Sequence, residues 1–349
     1  MVNKLNIFIN KWRDRMIKNL EIENFRGISK GKIAGFLQLN IFIGKNNIGK
    51  STILEALVTV LNYEMLQHIV KRRGWHGFDS VLSIFRFKNA DKPVKISTNN
   101  INIEIEKGIP HIEESKYLIS SHGFSRDIIV LTTKIKKSTG VIILKNYFDS
   151  NGNYHGIYYQ HELKKNHKEN VIFIDNQCIY GKTPTEAYNM IFEQGYKAHE
   201  RLMEVINTVY PDIKDIRIFS EKVGLEIVYK HGKVPFFAMG DGFKSAYVYL
   251  AYLISVKNGY ILCEEPENYQ HPSSRKLIVK GICNSAKDNQ IFISTHSIEL
   301  IDEILDECED INIKFFVPSI DENGILKHYS FDKEEAEFRR RELEADLRG

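Results

Sequence analysis

Gly44-Lys45-Asn46-Asn47-Ile48-Gly49-Lys50-Ser51 is the stretch that decides the reading of this chain. It satisfies G-x-x-x-x-G-K-[ST] in full. Its flanks supply the context that the pattern needs. Phe36–Ile43 (FLQLNIFI) is mostly apolar and reads as a buried strand running straight into the glycines. Lys50–Leu61 has helical spacing, with Ile53, Leu54, Leu57, Val58 and Leu61 on one side. Backbone N–H groups in such a loop form a concave anion site, and the positive end of the following helix reinforces it. Lys50 can reach the β- and γ-phosphates, Ser51 offers a hydroxyl to Mg²⁺, and Thr52 continues the phosphate-facing turn. The expected ligand is ATP with Mg²⁺.

A second segment, Tyr260-Ile261-Leu262-Cys263-Glu264-Glu265-Pro266-Glu267, reads as a buried strand ending in acids. Consecutive carboxylates at such a place need a cation or an open edge. Beside a phosphate loop the natural cation is Mg²⁺. Glu264 is expected in the metal shell through water, and Glu265 is expected to orient or deprotonate the attacking water. An ordinary solvated acidic loop is the competing reading, and the glycine loop weakens it. Phe237–Ser245 is a glycine-bearing turn opening a helix, hence a second potential phosphate site or a plain capped loop. His296 lies between a strand and a helix, with Thr295 and Ser297 as candidate caps.

These segments, in this order, resemble the ABC-type ATPase heads of the RecF, SMC and OLD group, the AAA domains of OLD or abortive-infection type. The resemblance covers about residues 16–87 and 205–305. It also rests on Asn24-Phe25-Arg26-Gly27, Leu54-Glu55-Ala56, Met239-Gly240-Asp241-Gly242, Glu265-Pro266-Glu267-Asn268 with His271-Pro272, and Ser294-Thr295-His296-Ser297. In such heads the signature turn caps the γ-phosphate of ATP held by a second copy, so two chains sandwich two nucleotides. The resemblance therefore implies a homodimer formed by ATP. It gives Gly240, Asp241, Gly242 and Lys244 the signature role, places His296 beside the γ-phosphate, and puts Arg26 near phosphate. Two departures stand out. Glu264 replaces the family's aspartate, and the signature turn lacks the common serine, for which Lys244 is a substitute donor. Gln67 and Asp79 are both candidates for the glutamine loop.

The expected fold is α/β, a mixed-sheet ATPase head. Residues 16–93 and 233–331 would form the head in two halves, with an α+β insertion over 94–232, an N-terminal extension over 1–15 and a charged helical tail over 332–349. Pro184–Val209 reads as one helical stretch. Hydrophobic content of 43%, charged content of 27% and a net charge of +3 fit a soluble globular chain and are too weakly basic to argue nucleic-acid binding. Cys178, Cys263, Cys283 and Cys308 have no metal-ligand spacing and read as small buried hydrophobes in a reducing cytoplasm. The N-terminus has no secretory-signal pattern, and the longest apolar run, about 246–256, is half a membrane span. The basic clusters Lys71-Arg72-Arg73, Lys134 with Lys136-Lys137, and Lys164-Lys165 with Lys168 are solvated surface or phosphate contacts.

Only residues 297–349 follow His296, too few for the Toprim nuclease domain that OLD-type proteins carry, and residues 94–232 lack the sustained heptads of SMC arms. A compact stand-alone ATPase is expected, cycling between closed and open dimers on DNA or on a separate effector protein in repair or defence. The alternative is an ATP-gated scaffold with negligible turnover.

Overall fold

The computed structural model describes residues 12, 14–72, 77–108, 128–138, 140–159, 169–175, 183–220, 224–268 and 270–348. Arg73, Lys164, Lys165, Lys168, Cys178 and most of the N-terminal extension lie outside them.

The chain opens with β1 (Asn19–Phe25), β2 (Ile28–Ala34) and β3 (Leu39–Ile43), followed by α1 (Lys50–Leu61), α2 (Leu66–Lys71) and α3 (Phe78–Leu82). Six strands come next: β4 (Val94–Thr98), β5 (Ile101–Gly108), β6 (Ile128–Lys137), β7 (Gly140–Asp149), β8 (Tyr154–Tyr159) and β9 (Val171–Ile174). The helices α4 (Pro184–Glu193) and α5 (Tyr196–Asn207) precede β10 (Ile213–Ser220), β11 (Gly224–Tyr229) and β12 (Gly232–Pro235). The last part runs α6 (Asp241–Ser255), β13 (Tyr260–Glu264), α7 (Pro272–Ala286), β14 (Gln290–Thr295), α8 (Ile298–Glu307), β15 (Ile313–Ile320), β16 (Ile325–Asp332) and α9 (Lys333–Arg341).

Thirteen of these strands make one mixed sheet, in the order β8-β7-β6-β5-β4-β1-β2-β16-β15-β3-β14-β13-β9. The block β15-β3-β14-β13-β9 is parallel throughout. Its strands are apolar on both faces, as a covered parallel sheet requires. Leu39, Ile41 and Ile43 of β3 face a core formed with α4 to α8. Phe42 faces the opposite core, with α1 and with Phe292 and Phe316 of the neighbouring strands. The sheet is thus covered on both sides, and the carboxyl ends of β3, β13 and β14 open together at one edge. Ligands of open α/β sheets bind at such an edge.

The α/β fold with a mixed sheet is as expected, but several elements differ from expectation. Within residues 94–232, β4 to β8 extend the antiparallel wing of the sheet beyond β1, β9 pairs in parallel with β13, and β10 to β12 form a separate three-stranded sheet. The hairpin β15–β16, anticipated by no reading of the sequence, joins the two parts, with β15 on β3 and β16 on β2. The single helix expected over 184–209 is two helices, because Gly195 turns the chain with φ 85°. The tail is helical only as far as Arg341. Beyond it the chain folds back, and Leu347 is buried in the core on the α4–α8 side.

The cysteine reading needs a correction. Cys283 in α7 and Cys308 after α8 form a disulfide, with Cα atoms 5.2 Å apart. They meet because α7 and α8 lie side by side on one face of the sheet. Cys263 is a free buried thiol whose pKa burial pushes up to about 12. Among the described residues no helix is long and apolar enough to cross a membrane.

Candidate functional site

The glycine loop joins β3 to α1 through backbone that few residues tolerate. Gly44, Asn47 and Gly49 have φ of 142°, 67° and 99°. At Gly44 that φ is one L side chains rarely adopt, so glycine suits the turn there. Gly49 caps α1 without a side-chain hydrogen bond, and the first turn of α1 carries no acid. Its leading N–H groups are therefore left to an anion. Lys50 is buried and donates to the carbonyls of Gly44 (2.6 Å) and Lys45 (2.8 Å). Burial lowers its pKa, and the charges of Glu265 and Glu267 oppose that shift.

A cavity of about 760 Å³ opens over this loop. Small-molecule sites span about 300–1,000 Å³. Asn46, Asn47, Gly49, Lys50, Ser51, Thr52, Arg26 and Glu265 line it, and Glu265 is its one carboxylate among the described residues.

Glu265 follows the last residue of β13. Its N–H donates to Ser294 O of β14 at 2.8 Å, and its φ of 45° turns the chain out of the sheet. Left-handed backbone at a non-glycine residue costs on the order of 1–3 kcal/mol and persists where the surroundings impose it. Asn268 Nδ2 donates to Glu265 Oε2 at 2.8 Å, and His296 Nδ1 lies 3.3 Å from Oε1. The carboxylate is thus held from both sides.

Glu267, whose role the sequence did not suggest, holds the histidine segment. Its Oε1 accepts from Thr295 Oγ1 (2.5 Å) and from the His296 N–H (3.2 Å). Its Oε2 is buried with no hydrogen-bond partner among the described residues. Burial raises its pKa, and the Thr295 hydroxyl and the His296 N–H pull it back. Arg348 closes the segment from the other side, its Nη1 3.5 Å from His296 O, and its carbonyl oxygen would be 3.5 Å from a Cβ on Gly44.

Arg26 and Glu264 are both engaged in ion pairs. Arg26 lines the cavity, but its guanidinium is turned inward. It donates to Glu55 Oε2 (2.8 Å), Ser83 Oγ (2.8 Å) and Ile69 O (2.7 Å), and so braces α1 against α2. Glu264 is absent from the cavity lining and pairs with Arg72. Arg72 also binds Glu55 Oε1 (2.8 Å) and Asp175 Oδ2 (3.0 Å), and lies 4.8 Å over the Phe173 ring. Glu55 is fully buried, and the Arg72 and Asp175 side chains are nearly so. Arg72 therefore belongs to a buried ion cluster under the loop, not to a basic surface. The sequence carried one signal of it: Glu55 sits among apolar residues on α1, where a buried charge needs a partner.

The signature residues lie elsewhere. Gly240 caps α6, Asp241 is fully exposed and pairs with Lys244 at 2.7 Å, and a Cβ on Gly242 would meet Ser274 Oγ at 2.6 Å. Gly240, Asp241, Gly242 and Lys244 do not line the cavity of their own chain. Nor do Gln67 and Asp79; Asp79 pairs with Lys88. Lys134 and Lys137 face Glu106 and Glu169.

The fit to Mg²⁺ rests on Ser51, at the uncapped start of α1 and in the cavity lining. Magnesium at nucleotides takes few protein ligands and keeps several waters, so one hydroxyl beside phosphates suffices. Glu264 is not available to it while Arg72 holds its carboxylate.

Comparison with known proteins matches two family models: the AAA ATPase domain over residues 16–222, more than half of the chain, and the AAA domain of AbiEii type (type IV toxin–antitoxin system) over residues 188–302. An uncharacterised protein of Methanocaldococcus jannaschii is 39% identical over 117 residues, covering 32% of this chain and 100% of that protein. An ATP/GTP phosphatase of Helicobacter pylori is 26% identical over 328 residues, covering 84% and 88%. Among solved structures, an SMC head bound to the C-terminal winged-helix domain of ScpA superposes with a TM-score of 0.52 at 14% identity. That match covers 92% of this chain and 98% of the SMC head, and shows the shared fold.

Proposed function

The chain belongs to the AAA ATPase domain family, as an ABC-type P-loop ATPase of the RecF, SMC and OLD group, and from that premise we propose that it hydrolyses ATP between two copies of itself. The observation that carries this is the position of Glu265, the one carboxylate among the described residues in a cavity floored by Lys50 and the α1 N-terminus. The triphosphate lies on the N–H groups of Gly44–Ser51. Lys50 leaves the carbonyls of Gly44 and Lys45 for phosphate oxygens. Ser51 would hold Mg²⁺ beside the phosphates, and the ion would supply neutralisation of the charge on the leaving group. Glu265, oriented by Asn268 and His296, accepts the proton of the attacking water. Glu267 keeps His296 in place through its N–H.

The signature turn at the start of α6 is exposed and outside its own cavity, which suits a role on the partner's nucleotide. ATP then acts as the dimer-forming ligand and hydrolysis releases the pair. The Helicobacter pylori relative supports triphosphate hydrolysis by its name, and the AbiEii-type family match favours a defence role for a cycle acting on DNA or an effector. The pairing of Glu264 with Arg72 favours a second reading, an ATP-gated scaffold with negligible turnover. Phosphate release by wild type and Glu265→Gln, with and without DNA, separates the two. Hydrolysis requires wild type to exceed the variant by about 100-fold or more. Equal rates leave the scaffold.

A further inference from the structure

The outer rim of the cavity carries an aromatic ring that packing does not explain. Phe87 lines the cavity and is 83% exposed. Its backbone is left-handed, with φ 54°, and so is that of Lys88, with φ 59°. Two consecutive non-glycine residues in this region are strained, and such strain gathers at ligand sites.

The surroundings hold the ring in this position. Phe85 is buried and bridges to Phe25 at the end of β1. The Lys88 N–H donates to Phe85 O at 3.0 Å, and the Asn89 N–H donates to Arg86 O at 3.0 Å. The Arg86 guanidinium lies 4.4 Å from the Phe87 ring centre and covers one face. Arg86 is itself packed on Gly324, where a Cβ would come within 2.8 Å of its nitrogens. One face of the ring is therefore backed, and the other is open to the cavity.

The rim and the phosphate loop share one lining. A Cβ on Gly49 would meet Ile320 Cδ1 at 2.6 Å, so Ile320 stands at the end of the phosphate loop. Ile320, Gly27 and Phe87 continue the lining away from the loop. The phosphate loop and Phe87 thus line one continuous cavity.

We propose that Phe87 is the platform on which the nucleotide base stacks, with Arg86 backing the ring. The inference rests on the triphosphate reading of the glycine loop given above. Stacking accepts any base, because every base has a π-face, and it contributes on the order of 10- to 100-fold in affinity. Purine nucleoside triphosphates are thus bound with little discrimination between adenine and guanine.

Calorimetric titration of wild type, Phe87→Ala and Phe87→Trp with ATP, GTP and inorganic triphosphate, all with Mg²⁺, tests this. Phe87→Ala should weaken ATP and GTP by the same factor, about 10- to 100-fold, and leave inorganic triphosphate unchanged. Phe87→Trp should keep wild-type affinity, and the emission of the new indole should change on adding ATP but not inorganic triphosphate. An equal loss for all three ligands, or no loss for ATP, overturns the proposal. So does a variant that binds ATP normally but fails to dimerise, which would place the ring at a subunit contact. Wild type that binds neither ATP nor inorganic triphosphate instead overturns the reading of the loop.

Discussion

Replacing Arg72 with methionine keeps most of the side chain's volume and removes the cation at the centre of the buried cluster. In the native protein that cation serves Glu55 (0% exposed side chain), Asp175 (3%) and Glu264 (16%). After substitution Glu55 keeps Arg26, and Asp175 keeps His68, 3.7 Å away. Leaving a buried charge without its partner costs about 3–5 kcal/mol. Lost packing of the guanidinium on Phe173 adds to this. Because Glu55 keeps Arg26 and Asp175 keeps His68, the lower end applies, about 3 kcal/mol. At roughly 2 °C per kcal/mol for a chain of this size, Arg72→Met should melt about 6 °C below wild type. Glu264→Gln should cost about 1–2 kcal/mol, since Glu264 is the most exposed member and Arg72 keeps its other two partners. Scanning fluorimetry of the apo proteins at neutral pH reads both. An Arg72→Met loss under 1 °C, or a larger loss for Glu264→Gln, would refute the assignment of Arg72 as the hub.

Lys50→Met removes a cation whose pKa burial lowers, so the apo protein should be no less stable than wild type. Wild type should gain about 2.7 kcal/mol from ATP at 100 times its Kd, and the variant nothing, as thermal shifts with and without ATP would report. The native pKa of Glu267 is raised above its ordinary value of 4.5 by burial. Between 4.5 and that raised value the native state keeps a proton that the unfolded chain has lost, so stability falls as pH rises. Glu267→Gln should therefore gain on wild type between pH 4.5 and 7, and melting curves across that range would show a shrinking gap if the sign were wrong. The Cys283–Cys308 bond closes a 25-residue separation, so Cys308→Ser should lose about 3 kcal/mol under non-reducing conditions, measured by urea unfolding.

The sequence announced those parts of the site whose chemistry is local. A glycine loop between a strand and a helix, and acids at a strand's end, carry their meaning within about ten residues. The helix α1 was legible to the residue, because one apolar stripe and one glycine define it. What escaped depends on distant partners. Arg26 and Glu264 look alike as free charges in sequence. Only packing reveals that Glu55, 29 residues beyond Arg26, takes up the one charge and that Arg72, 192 residues before Glu264, takes up the other. The hairpin β15–β16 went unread because its strands are recognisable only by the sheet they complete, between β2 and β3. Phe87 went unread for a related reason: its exposure and its left-handed backbone are properties of the folded rim, and in sequence it is one aromatic among many. The disulfide needed α7 and α8 side by side before Cys283 and Cys308 could be seen as neighbours.

Molar mass by light scattering, on Glu265→Gln with and without saturating ATP and Mg²⁺, tests the shared site most directly. The substitution leaves the loop intact and stops hydrolysis, so nucleotide should trap the closed pair. The mass should rise from that of one chain, 40.5 kDa, to twice that value on adding ATP, and fall back when ATP is removed. A protein that binds ATP and stays at 40.5 kDa would contradict a site completed by the signature turn of a second copy.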